Sequence, residues 1–216
     1  MRGKFIVIEG IDGSGKTTQV KMLKERMEER GIHLHTTREC SDGPIGKLLR
    51  NTYLAGKRKC DEHVINYLYA ADRLDHITNE EDGMLKFINA GLSVLSDRYV
   101  MSSLAYDTYM HIGTDTYGDA LLDILNRNRR NIELLSPDIT VVINVPPEIA
   151  CKRLYSNRDE LSVYESIDKI DKIHKSYSNA ITLLEKEFGH HIAIVDGTKS
   201  PSEISNDIYS LVASMF

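Results

Sequence analysis

Apolar residues along this chain follow two rhythms. Three short runs are predominantly apolar: residues 5–8 (FIVI), 91–96 (GLSVLS) and 139–145 (ITVVINV). The third is the pattern of a strand buried on both faces of a parallel sheet. Residues 32–37 (IHLHTT) alternate apolar and polar side chains, which predicts a second strand with His33 and His35 on one face. Residues 192–195 supply a last strand. Between these runs the spacing becomes helical. Val20, Leu23 and Met27 mark an amphipathic helix ending at Gly31. Ile45, Leu48 and Leu49 suit a short helix after Pro44, and residues 61–78 a longer one. Residues 102–135 read as helix interrupted around 113–118, and Pro146-Pro147-Glu148 opens another. Ile170, Ile173, Tyr177, Ala180, Ile181 and Leu184 define a long packed helix, and a closing helix runs from Ser202. Five strands separated by helices predict an α/β fold, a five-stranded parallel sheet with helices on both faces.

The first strand leads into chemistry. FIVIEGIDGSGKTTQV places Gly10, four residues, Gly15, Lys16 and Thr17 between a strand and a helix, which is the phosphate-binding loop in the context it requires. Backbone N–H groups of residues 10–18 (Gly10, Ile11, Asp12, Gly13, Ser14, Gly15, Lys16, Thr17 and Thr18) would curl round a polyphosphate. Lys16 would reach its terminal phosphates, and Thr17 would hold Mg²⁺ through its hydroxyl. The helix dipole favours an anion at the same place. The glycine spacing differs from the dinucleotide fingerprint.

Composition narrows the class. At 216 residues and 41% hydrophobic the chain can bury one sizeable core, so a single domain over 1–216 is expected. A net charge of −5 argues against a binder of nucleic-acid polymers. Cys40, Cys60 and Cys151 have no metal or redox spacing and read as reduced thiols. The first strand begins almost at once and no run reaches the length of a membrane span, so a cytoplasmic protein with no membrane association is expected.

Ligands of a parallel sheet gather at the carboxyl ends of its strands. That rule singles out Arg38 after the second strand and Asp97-Arg98 after the third. Tyr69 and Arg73 lie four residues apart, on one face of the 61–78 helix.

With these placed, the chain resembles the thymidylate kinases of the P-loop nucleoside monophosphate kinase group over nearly its whole length. The resemblance is carried by FIVIEGIDGSGKTT, TRECSDGPIG, YLYAADRLDH, DRYVMSSLAYD, SPDITVVINVPPEIACKRL and NRDELSVYE. It implies a three-layer P-loop kinase fold and transfer of the γ-phosphoryl of ATP to thymidine monophosphate (dTMP) with Mg²⁺, by a homodimer. Arg38 and Arg98 would hold the acceptor phosphate, and Asp97 would support Mg²⁺ with Thr17. A lid over about 153–165 would bring Arg158, with Arg153 in support, to the transferring group beside Lys16. Tyr69 would stack on the base, Arg73 would bond its edge, Asp12 would contact the sugar 3′-hydroxyl, and Ser102 and Tyr106 would flank sugar and base. Adenine would lie toward residues 196–200.

Three positions depart from the family pattern: Cys40-Ser41 stands where Pro-Gly is common, Asp107 where Gln is frequent, and Asn144 where a strand often ends in an acid. The alternatives are a deoxyuridylate or broad pyrimidine kinase, and an ATP-dependent switch. The dimer-forming helices could be 61–78 or 167–184, whose apolar faces equally suit an internal core.

Overall fold

A computed structural model of the chain describes residues 2–155 and 160–216, the side chains of 160–166 excepted. Arg158 lies outside the described residues, as do the other residues of 156–159 within the expected lid. Five strands, β1 (Phe5–Glu9), β2 (Leu34–Arg38), β3 (Ser93–Asp97), β4 (Ile139–Asn144) and β5 (Ile192–Asp196), form a parallel sheet in the order β2-β3-β1-β4-β5. β1 lies at the centre with all five residues buried, which is why its sequence shows no polar alternation. The helices are α1 (Lys16–Glu28), α2 (Pro44–Leu48), α3 (Glu62–Thr78), α4 (Met84–Asn89), α5 (Val100–Tyr106), α6 (Tyr117–Leu134), α7 (Pro147–Leu154), α8 (Glu160–Phe188) and α9 (Pro201–Ala213). They cover both faces of the sheet in a three-layer arrangement. α1 packs on α9, and α5 on α8.

Strand register fixes the site. Ile8 of β1 pairs with Asp97 of β3, and Asp97 also pairs with Arg38 of β2. The ends of three strands therefore deliver Glu9, Arg38 and the Asp97-Arg98 pair to one edge, the place where a parallel sheet binds ligands.

Helix ends follow their residues. Asp61 caps α3 by accepting from the His63 amide at 2.8 Å. Ser200 and Glu203 form a capping box on α9 with Pro201 in its first turn. α1 closes just ahead of Gly31, whose φ of +75° ends the run. The apolar stripe of α8, including Ile170, Ile173, Tyr177, Ala180 and Leu184, is buried against the core. α3 instead leaves Val64, Tyr67 and Leu74 exposed. His35 stacks on Phe87 with ring centroids 4.0 Å apart, while His33 lies outside β2 and is exposed. Among the described residues, no helix is long and apolar enough to cross a membrane.

Candidate active site

The loop between β1 and α1 is shaped by glycine where nothing larger fits. Gly10 has φ +143°, and a Cβ there would lie 2.7 Å from the Ile143 carbonyl oxygen; Gly13 has φ +81°, and its Cβ would lie 2.6 Å from that of Ala150. Ile11 buries its side chain in the core and turns its carbonyl inward to accept from Lys16 Nζ at 2.9 Å. Burial and the neighbouring Arg98 lower the Lys16 ammonium pKa to about 8, with Asp12, Asp97 and Glu9 pulling the other way. Gly15 opens α1, so the first amides of that helix point into a groove of about 600 Å³ lined by Gly13, Lys16, Thr17, Thr18, Asp97 and Arg153. The Ser14 hydroxyl is buried and has no partner among the described residues.

Thr17 and Asp97 meet across the groove, the hydroxyl donating to Asp97 Oδ2 at 2.7 Å. Arg153, in the last turn of α7, donates to the Gly13 carbonyl at 3.4 Å and the Gly197 carbonyl at 3.0 Å. It thereby links the phosphate loop to the turn after β5.

Arg98 occupies the corner between this groove and a second cavity. Its φ is +78°, a left-handed conformation unfavourable for a side chain as large as arginine. The surroundings hold it there. Nη1 donates to Ser102 Oγ at 2.9 Å, to the Tyr177 hydroxyl at 3.3 Å and to the Gly10 carbonyl at 3.3 Å, while Nη2 pairs with Asp12. The guanidinium also lies 5.1 Å from the centre of the Tyr106 ring. Burial works against its charge, but Tyr177, Tyr106, Asp12 and Glu9 more than offset this and hold it protonated well above the ordinary arginine range.

Beneath Arg98 lies Glu9, which the sequence did not single out. Its fully buried carboxylate accepts from the amides of Tyr99 at 2.8 Å and Ser102 at 3.1 Å, from Ser102 Oγ at 2.7 Å and from the Tyr177 hydroxyl at 2.9 Å. Ser102 and Tyr177 thus connect Glu9 to Arg98. Replacing Glu9 with leucine would strand these donors inside the protein, so urea unfolding of Glu9→Leu is expected to show a loss of about 3 kcal/mol or more. Parent-like stability would mean the network is not load-carrying.

The second cavity, of about 340 Å³, lies beyond Arg98 and is lined by the expected Arg38, Tyr69, Arg73, Ser102 and Tyr106 together with Asp107. Arg38 is exposed and pairs with Asp42 at 2.9 Å. Burial raises the Tyr69 phenol, whose hydroxyl faces the Cys40 thiol. The Tyr106 hydroxyl accepts from the Asp12 amide at 2.9 Å, joining this wall to the phosphate loop. Arg73 is engaged by neighbours: Nε donates to both Glu39 oxygens at 2.8 and 2.9 Å, Nη2 to Glu39 and to Ser103 Oγ at 3.1 Å, and Nη1 to Asn128. Glu39, Asn128 and Ser103 are partners that helical spacing alone could not reveal.

The Cys40-Ser41 turn has its own fastening. The Glu39–Cys40 peptide is cis. Asp72 accepts from the Ser41 amide at 2.8 Å and its hydroxyl at 2.6 Å, and Arg50 donates to the carbonyls of Cys40 and Ser41. Four residues, Asp12, Arg38, Glu39 and Arg98, line both cavities. The arrangement can hold a polyphosphate on one side of Arg98 and a second, smaller anion on the other.

Comparison with known proteins gives the family of the chain. A family model described as "Thymidylate kinase" matches residues 8–208. The chain is 31% identical over 213 residues to a protein named "Thymidylate kinase" from Bradyrhizobium sp. (strain ORS 278), covering 98% of this chain and 90% of the relative. It is 33% identical over 207 residues to a "Probable thymidylate kinase" from Methanococcus aeolicus, covering 95% and 93%. A "Probable thymidylate kinase" from Thermococcus kodakarensis is 31% identical over 219 residues, covering 98% of each chain.

Proposed function

Since the chain belongs to the thymidylate kinase family and phosphorylates dTMP to dTDP with ATP, we propose that its two cavities are the donor and acceptor sites, with Arg98 between them. The observation that carries this reading is the shared border of Asp12, Arg38, Glu39 and Arg98. Phosphoryl transfer asks the protein chiefly to position two anions and neutralise their repulsion. The 600 Å³ groove takes the triphosphate, with the α1 amides and Lys16 on its β- and γ-phosphates. The 340 Å³ cavity takes the nucleoside monophosphate, with Arg38 and Arg98 on its phosphate and Tyr69, Ser102 and Tyr106 around sugar and base. The acceptor phosphate has a second pKa of about 6 and is mostly dianionic at neutral pH, so no general base is needed.

Thr17 and Asp97 offer a hydroxyl and a carboxylate in contact, an oxygen-only pair suited to Mg²⁺. When bound, that ion would neutralise charge on the β- and γ-phosphates. By family resemblance Arg158 acts from the lid at 153–165 of one catalytic unit, supported by Arg153. The protein works in the cytoplasm as a homodimer, for which the exposed Val64, Tyr67 and Leu74 of α3 are the fitting face, because the stripe of α8 is spent on the core.

The test is a steady-state comparison of thymidine, deoxyuridine, uridine and guanosine monophosphates with MgATP. ATP turnover is expected to depend on the acceptor and to be fastest with dTMP. Deoxyuridylate should trail by roughly 10–200-fold in kcat/KM, the span that one buried methyl allows. In the same assay Arg158→Ala should lower kcat while leaving the KM for dTMP near the parent value. ATP hydrolysis indifferent to every monophosphate would overturn the reading.

A further inference from the structure

Arg38 lines both cavities, yet its side chain is 57% exposed, so the core does not order its guanidinium. Its contact is the ion pair with Asp42 at 2.9 Å. An exposed pair of this kind holds little by itself. What steadies it is the backbone on either side of Asp42. Ser41 is 2% exposed, and its hydroxyl donates to Asp72 Oδ1 at 2.6 Å while accepting from the Gly43 amide at 3.1 Å. The Ser41 amide donates to Asp72 Oδ2 at 2.8 Å. One hydroxyl therefore joins the residues that flank Asp42 and ties them to a buried carboxylate of α3. Arg50 adds a second tie, from Nη2 to Asp42 Oδ1 at 2.8 Å and from Nη1 to the Cys40 and Ser41 carbonyls. Packing leaves this turn little slack, since a Cβ at Gly46 would lie 2.1 Å from the Ser41 carbonyl oxygen.

We propose that Ser41 and Asp72 are positioning residues for the acceptor phosphate: their buried hydrogen bonds fix the turn at 40–43, and Asp42 in that turn holds Arg38 at the acceptor cavity. This rests on the reading of Arg38 as a ligand of the acceptor phosphate. Asp72 stands next to Arg73 and three residues beyond Tyr69, so the helix that walls the cavity also anchors the turn that presents the arginine. The arrangement gives a use to the departure at Cys40-Ser41. Proline at 40 would restrict the backbone through its ring, and glycine at 41 would have no hydroxyl to bridge Asp72 and Gly43. Here side-chain hydrogen bonds do the fixing.

Loss of the Ser41 hydroxyl frees the turn and lets the Arg38 guanidinium wander, which weakens the hold on the resting phosphate. The group in flight is served by Lys16 and Arg98, which this turn does not touch. A change that raises KM and spares kcat is the expected signature.

The experiment compares Ser41→Ala with the parent in steady state, using dTMP as substrate and thymidine, which has no phosphate to meet Arg38, as a competitive inhibitor. The KM for dTMP should rise about tenfold, the order of one hydrogen bond to a charged group, with kcat near the parent value and the Ki of thymidine unchanged. In an Arg38→Ala background, with no guanidinium left to place, adding Ser41→Ala should move that KM by less than about twofold. Asp72→Asn, which keeps the size of the side chain and takes away one of its two acceptors, serves as the second variant should Ser41→Ala fail to fold, with the same outcomes expected. An unchanged KM, a thymidine Ki that rises in step with it, or a full tenfold effect in the Arg38→Ala background overturns the proposal and leaves the kinase reading intact. A parent-like KM in Arg38→Ala itself removes Arg38 from the acceptor phosphate and the proposal with it. Failure of thymidine to compete with dTMP overturns the acceptor assignment of the cavity.

Discussion

Substituting Lys16 with methionine is expected to lower kcat by about 10²–10³-fold, the loss that follows removal of one charge-stabilising donor from a preorganised site. The ammonium is 2.9 Å from the Ile11 carbonyl of its own loop, inside the groove proposed for the terminal phosphates. With a pKa of about 8 it remains mostly charged at neutral pH. A bound polyphosphate would only strengthen that charge. Methionine keeps much of the stem and discards the cation. Single-turnover rates at saturating ATP and dTMP give the measurement, and a kcat within a few-fold of the parent would remove Lys16 from the reaction.

Stability should move the other way, which separates lost chemistry from lost fold. Lys16 ionises more easily in solution, at 10.5, than in the folded protein, at about 8. Its charge therefore opposes folding, by on the order of 3 kcal/mol. Between these two pKa values the unfolded chain binds the extra proton, so stability rises with pH across that window. Below about pH 8 the penalty is fully present. The methionine variant lacks it and should unfold at higher urea than the parent at pH 7, with the difference shrinking as pH climbs toward 10.

Much of this site was legible because its parts sit where sequence rules point. The phosphate loop is local, so eight residues and their flanking strand and helix sufficed. Arg38 and Asp97-Arg98 followed from the rule about strand ends, and register then brought them together. The apolar run of the first strand ends at Ile8, and the structure extends the strand to Glu9. That one residue matters, because a carboxylate closing a fully buried strand must find donors. Its donors come from residues 99, 102 and 177, far along the chain, where no local pattern records them. Helical spacing puts Tyr177 in a packed stripe, and it is buried there, but its hydroxyl reaches Glu9 and the Gly10 carbonyl. Periodicity reports which way a side chain faces; the partner of its polar tip is a long-range fact. The short helix α4 escaped for a related reason, since six residues span fewer than two turns and give periodicity little to work on.

Removing the Arg98 guanidinium should cost the most of any single change in the acceptor site, about 10³-fold or more in kcat/KM for dTMP. It borders both cavities, so it can act on the resting acceptor phosphate and on the group in flight, and only the second contribution appears in kcat. Lysine retains a charge but has no planar fork with which to reach Ser102, Tyr177 and Asp12 as well as a phosphate, so Arg98→Lys should fall between the parent and Arg98→Ala. The backbone adds an independent check. Residue 98 holds φ at +78°, where alanine is strained and glycine is not. Arg98→Gly should therefore match Arg98→Ala in lost activity yet unfold about 1 kcal/mol later, less the gain in unfolded-chain entropy that glycine brings. If Arg98→Ala instead kept a near-parent kcat/KM, the acceptor phosphate would have to be held elsewhere. The division into two cavities meeting at this arginine would then fall.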